Sequence, residues 1–281
     1  MAVHVVISHS WLYNRVIKIC GVVIILGVYF SGTGNTKHCV AAFARLFGGG
    51  DAISIEDACA PEMIASHSEI VFGYPVYFSN MPKIVQDFLI NHGERFRGKR
   101  VYIIATMGMF SGDGAGCAAR RLKKCGAVIS GALHLKMPDS IGDEKVLKKT
   151  EDRNRAIIRR ADDKIALAVH NLKSGKPLRQ GLGILPHIAG LLGQRLWFYG
   201  KTASYKQKPD INKQKCTGCG VCAAVCPMGN ITVVGENAAA HSRCTLCYRC
   251  FSHCPAQALT ILGKRVHEQY LFENFKDIGG N

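Results

Sequence analysis

The chain has 281 residues, 48% of them hydrophobic, with 36 Lys and Arg against 20 Asp and Glu and a formal net charge of +16. That length allows one large domain plus a small one, and that hydrophobic share excludes wholesale disorder. The positive excess favours acidic partners, polyanions or membrane headgroups and says nothing about fold. Eight of the 13 cysteines crowd between Cys216 and Cys254, while Cys20, Cys39, Cys59, Cys117 and Cys125 are scattered. This is not an even, secreted disulfide framework. A reducing compartment, the cytoplasm, and a metal site fit better.

In chain order, residues 1–20 read as a loose N-terminal extension. The uncharged run Ile19–Phe30 is 12 residues long, short of the roughly 20 that cross a bilayer. It meets a Gly-rich loop with no small-residue cleavage site, so neither anchor nor signal peptide is expected. Val22–Phe30 reads as a buried parallel strand, Asn35–Leu46 as a helix, and Ala52–Ile55 and Glu69–Tyr74 as strands. Pro82–Asn91 is a helix opened by proline. Arg100–Thr106 is a strand, and Gly116–Cys125 a helix with basic residues in its last turn. Ala127–Leu135 is a strand and Lys145–Leu172 a long, charged helix with a solvated face. This alternation, over residues 21–174, predicts an α/β domain: a doubly wound parallel sheet with helices on both faces. Ligands of such sheets bind beyond the carboxyl ends of the strands. The loops Ser31–Thr36, Pro75–Met81 and Met107–Ala115 lie there and should converge on one crevice.

Residues 175–208 read as a helical linker. Its basic amphipathic piece, 182–199, is first a helix packed between domains and second a membrane-surface helix. A second domain is expected over 209–266, then a tail over 267–281. Within the second domain CTGCGVCAAVCP recurs 28 residues later as CTLCYRCFSHCP.

The loop SGTGNT is not a P-loop, which needs G-x-x-x-x-G-K-[ST]. A dinucleotide fingerprint needs a third glycine where this chain has Lys37. The third option is a flavin mononucleotide loop, in which backbone N–H groups and short hydroxyls surround a phosphate at a helix N-terminus. Lys37 is expected to face solvent, and His38 the helix surface.

Three loops together carry a closer resemblance. YFSGTGNT is similar to the phosphate loop of flavodoxins, and GYPVYFSNMP and ATMGMFSGDGAG to the two loops that flank the flavin ring. The repeat C-x2-C-x2-C-x3-C-P is similar to the run of bacterial two-cluster ferredoxins. Zinc ribbons also use C-x2-C pairs, but with a longer gap between pairs than this run allows. The combination resembles flavodoxin–ferredoxin fusion proteins, found mainly in anaerobic bacteria and archaea, over roughly residues 22–265.

The resemblance implies a flavodoxin-like sheet of order 2-1-3-4-5, a C-terminal α+β ferredoxin domain, and FMN and two [4Fe–4S] clusters as cofactors. Ser31, Gly32, Thr33, Gly34, Asn35 and Thr36 would bind the phosphate. Pro75, Val76, Tyr77 and Phe78 would border the ring, with Tyr77 or Phe78 in contact. Thr106, Met107, Gly108, Ser111, Gly112 and Asp113 would form the other wall, although Asp113 also reads as a cap of the next helix. Cluster 1 would take Cys216, Cys219, Cys222 and Cys254, and cluster 2 Cys244, Cys247, Cys250 and Cys226. Arg249 and His253, inside the second run, either tune that cluster's potential or face solvent.

The implied function is electron transfer between FMN, the clusters and an external redox protein. Typical flavodoxins are acidic and this chain is basic, so an acidic partner is expected. The alternative is a flavin-dependent reductase of a small acceptor such as a quinone, fed by the clusters. No nucleophile–base constellation stands out, so no catalytic residues are assigned. No nucleic-acid motif is recognised, and nucleic acid is not an expected partner.

Overall fold

A computed structural model describes residues 24–110, 112–183, 188 and 205–278. The expected N-terminal extension, nearly all of the 182–199 piece, and Ser111 lie outside them. Five strands form one sheet: β1 (Ile25–Tyr29), β2 (Ala52–Ser54), β3 (Glu69–Pro75), β4 (Arg100–Met107) and β5 (Val128–Lys136). Their order is β2-β1-β3-β4-β5, and every neighbouring pair is parallel. This is the expected 2-1-3-4-5 order. The middle of β3 and β4 is buried without alternation, because helices cover both faces.

On one face α1 (Asn35–Gly48) and α5 (Glu151–Lys173) pack through Val40, Phe43, Ile158 and Ile165. On the other lie α2 (Ala60–Ser66), α3 (Lys83–His92) and α4 (Gly114–Lys124), which contribute Ile64, Phe88 and Leu122. The close fit of α1 depends on Gly73 in β3, where a Cβ would stand 2.2 Å from Val40 Cγ2.

Three details differ from the sequence reading. Helix α2 follows an acidic, exposed turn and was not expected there. The stretch Lys145–Leu172 is broken: a 3-10 turn at Lys145–Leu147 precedes α5, and Thr150 is the extended residue before its first turn. Glu151 and Asp152 then face the positive helix end. The expected tail is not peripheral, since Tyr270 and Phe275 are buried in the core beside α1 and α5.

His134 in β5 gives the sheet a pH limit. Burial, reinforced by Lys164, lowers its pKa to about 4. Its Nε2 accepts from the Ala115 N–H at 3.4 Å, which requires the neutral ring. The unfolded ring gains its proton at a higher pH than the folded one, so stability is complete above the unfolded value and falls as pH drops toward 4. Between pH 7 and pH 5 this group should remove about 2 kcal/mol, and His134→Gln should flatten that part of the curve. Urea unfolding at the two pH values checks it.

The C-terminal third pairs β6 (Asp210–Ile211) with β9 (Leu259–Thr260), and β7 (Ile231–Val234) with β8 (Asn237–Ala240), both antiparallel. A short helix follows the start of each cysteine run: α6 (Val221–Ala224) and α7 (Arg249–His253). Among the described residues no helix is long and apolar enough to cross a membrane.

Candidate functional site

The loop after β1 ends in Gly34, whose φ of 99° favours glycine. The Gly34 N–H donates to Ser31 Oγ at 3.1 Å. The first N–H groups of α1 have no acceptor within their helix, so with the helix dipole they make an anion site. Two side chains expected to serve a phosphate also brace the loop. Asn35 Nδ2 donates to Pro138 O at 2.9 Å, and Thr36 Oγ1 shares a 2.8 Å hydrogen bond with Thr106 Oγ1. Both threonines are buried. Thr36→Val orphans Thr106 and should cost about 1–3 kcal/mol of stability, measured by urea unfolding.

A cavity of about 370 Å³ opens beyond the strand ends, within the range usual for small-molecule sites. It brings together Gly32, Thr33, Asn35 and Thr36 with Pro75, Val76, Tyr77 and Phe78, and with Thr106, Met107 and Gly108. The three loops therefore converge. Ser31, Gly34, Gly112 and Asp113 lie off the lining. Asp113 stands at the start of α4, with its buried carboxylate 2.7 Å from Arg120 Nη1. Tyr77 and Asn80 exchange backbone hydrogen bonds of 3.0 Å each. Phe78 and Ser79 between them are left-handed, with φ of 51° and 56°. This tight turn presents Tyr77 and Phe78 to the cavity, and the Phe78 ring stacks on Tyr205 at 5.9 Å.

Sequence reasoning missed part of the wall. Asp139, Ile141 and Leu147 enter from the segment after β5, and Leu246, Tyr248 and Leu262 from the cysteine-rich third. A Cβ on Gly108 would lie 2.3 Å from Asp139 Oδ2, so the glycine admits that carboxyl. Burial pushes the Asp139 carboxyl above its ordinary range. The cavity, its ring-loop walls and its N–H rim fit FMN.

The eight clustered cysteines fall into two groups. Cys216, Cys219, Cys222 and Cys254 line one hollow with Pro255, and Cys226, Cys244, Cys247 and Cys250 line another with Pro227. Backbone N–H groups donate to sulfur from Ala238 to Cys216, Asn230 to Cys226, Leu246 to Cys244 and Ala258 to Cys254, at 3.3–3.4 Å. Such donors stabilise thiolate ligands. Burial pushes the Cys244 thiol up to about 11 and Cys247 to about 12, so iron would have to supply the charge that ionises them. Among the described residues, no three His, Cys, Asp or Glu are grouped as ligands of a single ion. Four sulfurs around a hollow suit a larger cube.

The two copies of the repeat differ informatively. Positive φ recurs 28 residues apart: Gly218 and Leu246, Gly220 and Tyr248, Gly229 and Gln257. The first copy uses glycine. The second puts large side chains where the left-handed conformation costs roughly 1–2 kcal/mol each. Leu246 and Tyr248 both line the 370 Å³ cavity, so the strain buys wall contacts that glycine could not make.

The second group also abuts the phosphate loop. A Cβ on Gly32 would stand 2.1 Å from the Cys247 carbonyl oxygen. Cys247 is buried within the core of the parallel-sheet domain, and Tyr248 lines both the larger cavity and the hollow of the second cysteine group. Cys219, in the first group, is exposed.

Comparison with known proteins follows this division. Residues 26–132 match the family described as a flavodoxin domain, and residues 208–255 match the 4Fe-4S dicluster domain. No curated protein matched. Among solved structures, the chain is similar to a flavodoxin from the domain Archaea at 18% identity, over 52% of this chain and 98% of that one, with a TM-score of 0.36. It is similar to the two-electron reduced flavodoxin of Megasphaera elsdenii at 22%, over 51% and 99%, with a TM-score of 0.37. The general stress protein 14 of Treponema denticola, in complex with FMN, is 16% identical over 53% and 98%, with a TM-score of 0.37. Residues 26–132 are therefore a flavodoxin domain and residues 208–255 a 4Fe-4S dicluster domain, the order of a flavodoxin–ferredoxin fusion, and these domains suggest FMN and iron–sulfur clusters as cofactors.

Proposed function

We propose that this protein carries electrons between an external redox protein and FMN, with cluster 2 beside the flavin and cluster 1 at the outer end. FMN exchanges one or two electrons and each cluster one, so the protein's work is placement and tuning of potentials. Ser31–Thr36 hold the phosphate, and Pro75, Val76, Tyr77, Phe78, Thr106, Met107 and Gly108 border the ring, while Gly112 and Asp113 support the second ring loop. Cys216, Cys219, Cys222 and Cys254 ligate cluster 1; Cys226, Cys244, Cys247 and Cys250 ligate cluster 2.

The observation that carries this order is Tyr248, which lines both the flavin cavity and the cluster 2 hollow. At the other end Cys219 is exposed, near the exposed Lys213 and Lys215. Those lysines suit an acidic redox protein. The free cysteines suit a reducing compartment, the cytoplasm.

Cys219→Ser should slow reduction of the flavin by a protein donor while leaving FMN bound. An unchanged rate would reject cluster 1 as the port. The second reading, a reductase of a small acceptor such as a quinone, draws on Met109 and Phe110, which line the cavity and are 66% and 50% exposed. Turnover of a small acceptor without any protein partner would favour it. Transfer only to another redox protein favours the carrier.

A further inference from the structure

We propose that the C-terminal third completes the FMN phosphate site, so that flavin binding and the cluster 2 segment are thermodynamically coupled through Arg249 and the Tyr270–Phe272 segment. This rests on the FMN reading above. Three successive loop carbonyls accept hydrogen bonds from that third. Arg249 donates from Nη2 to Ser31 O at 2.7 Å and from Nε to Gly32 O at 3.4 Å. The Phe272 N–H donates to Thr33 O at 2.8 Å. In a trans peptide the N–H points opposite to the C=O. Turning these carbonyls toward the C-terminal third therefore turns the Gly32 and Thr33 N–H groups away from it, as a phosphate nest requires, while the Gly34 N–H is held by Ser31 Oγ. Tyr270 adds a fourth tie, its hydroxyl donating to Asn35 Oδ1 at 2.6 Å.

Both carriers of these ties, Arg249 and the Tyr270–Phe272 segment, are built rather than incidental. The Arg249 guanidinium is gripped by Glu56, with Nη1 to Oε2 at 2.6 Å and Nη2 to Oε1 at 2.7 Å. It also reaches Val225 O at 3.4 Å, beside Cys226. Arg249 itself lies between Cys247 and Cys250, so the cluster 2 run carries the residue that shapes the phosphate loop. The Tyr270–Phe272 segment is seated by ring stacking of Phe272 on His38, with centroids 4.3 Å apart. A Cβ on Gly34 would stand 2.7 Å from Phe272 Cβ, so this glycine lets the segment close on the loop. Neither Arg249 nor Tyr270 lines the cavity; both act through the loop, as positioning residues. Coupling of this kind is reciprocal. Loosening the cluster 2 segment weakens FMN binding, and bound FMN protects that segment.

The test measures FMN and riboflavin affinity by flavin fluorescence in the full chain under anaerobic conditions, with iron content alongside. Riboflavin lacks the phosphate, so a role on the phosphate loop should affect FMN alone. Arg249→Gln should weaken FMN about ten- to hundredfold and leave riboflavin unchanged. Glu56→Gln and Tyr270→Phe should weaken FMN about three- to tenfold at full iron content. Removing iron from the wild-type chain with a chelator should lower FMN affinity as well. Equal losses for FMN and riboflavin, or wild-type FMN affinity in all these cases, overturn the proposal. If Arg249→Gln fails to load iron, wild-type FMN affinity in Glu56→Gln and Tyr270→Phe overturns it by itself. A wild-type chain that binds riboflavin as tightly as FMN rejects the FMN reading instead.

Discussion

Gly32→Val should weaken FMN binding by about ten- to hundredfold or more, corresponding to the 1–3 kcal/mol that overpacking typically costs. The first added carbon would lie 2.1 Å from the Cys247 carbonyl oxygen. The obstacle is backbone, so no side chain can swing aside. Either the phosphate loop retreats or the cluster 2 segment does, and both are needed for the joint between the two halves. Chelators should then strip iron from cluster 2 faster than from the wild-type chain. Gly98→Ala supplies the comparison: its φ is 73°, a strain that Gly32 does not carry, but no atom lies within 4 Å of the added carbon. That change should cost only the backbone strain and leave FMN affinity alone. A Gly32→Val chain that binds FMN like wild type would show that the halves are not pressed together here.

Asp143→Ala should be the most destabilising change at the joint. Asp143 follows β5 and is buried. Its carboxylate accepts from Tyr248 Oη at 2.8 Å and from the Ile261 and Leu262 N–H groups at 2.6 and 3.0 Å. One side chain therefore pins the sheet domain to the strained Tyr248 and to the segment after β9. Alanine strands two buried donors and a part-buried one at about 1–3 kcal/mol each before relaxation, and a net loss of about 3–5 kcal/mol is expected. Asparagine keeps an oxygen for the two amides and should recover more than half of it. The urea midpoint followed by far-UV circular dichroism reads both changes. A loss below about 1 kcal/mol in the alanine chain would mean that other contacts hold the joint.

Much of the fold is legible in the sequence, for reasons of range. Strands β3 and β4 are continuous apolar runs, and α1 opens on a Gly-rich loop, so local sequence specifies them. Both cysteine groups are implied by the likeness of the repeat to two-cluster ferredoxins, and the same cysteines line two separate hollows. The ring loops likewise announce themselves by composition.

What escaped depends on distant segments meeting. Asp139 and Leu147 carry no local mark, and nothing near Tyr270 says that its hydroxyl will meet Asn35. The charged run before α5 hid its break, although Thr150 followed by Glu151 and Asp152 is a helix-start signal. Leu246 and Tyr248 were legible in part. Aligning the repeat sets them opposite Gly218 and Gly220, and large residues at glycine positions point to contacts worth strained backbone. Arg249 had two readings from sequence. Its guanidinium is turned onto Glu56 and the phosphate loop, rather than left in solvent.

We propose that one chain assembles a flavin and two four-iron clusters as a single electron-transfer unit. The most direct test is anaerobic purification and reconstitution of the full chain, with iron, acid-labile sulfide and FMN quantified per chain. About eight irons, about eight sulfides and about one FMN are expected. About four irons or fewer after full reconstitution, or a chain that retains no FMN, would contradict the account.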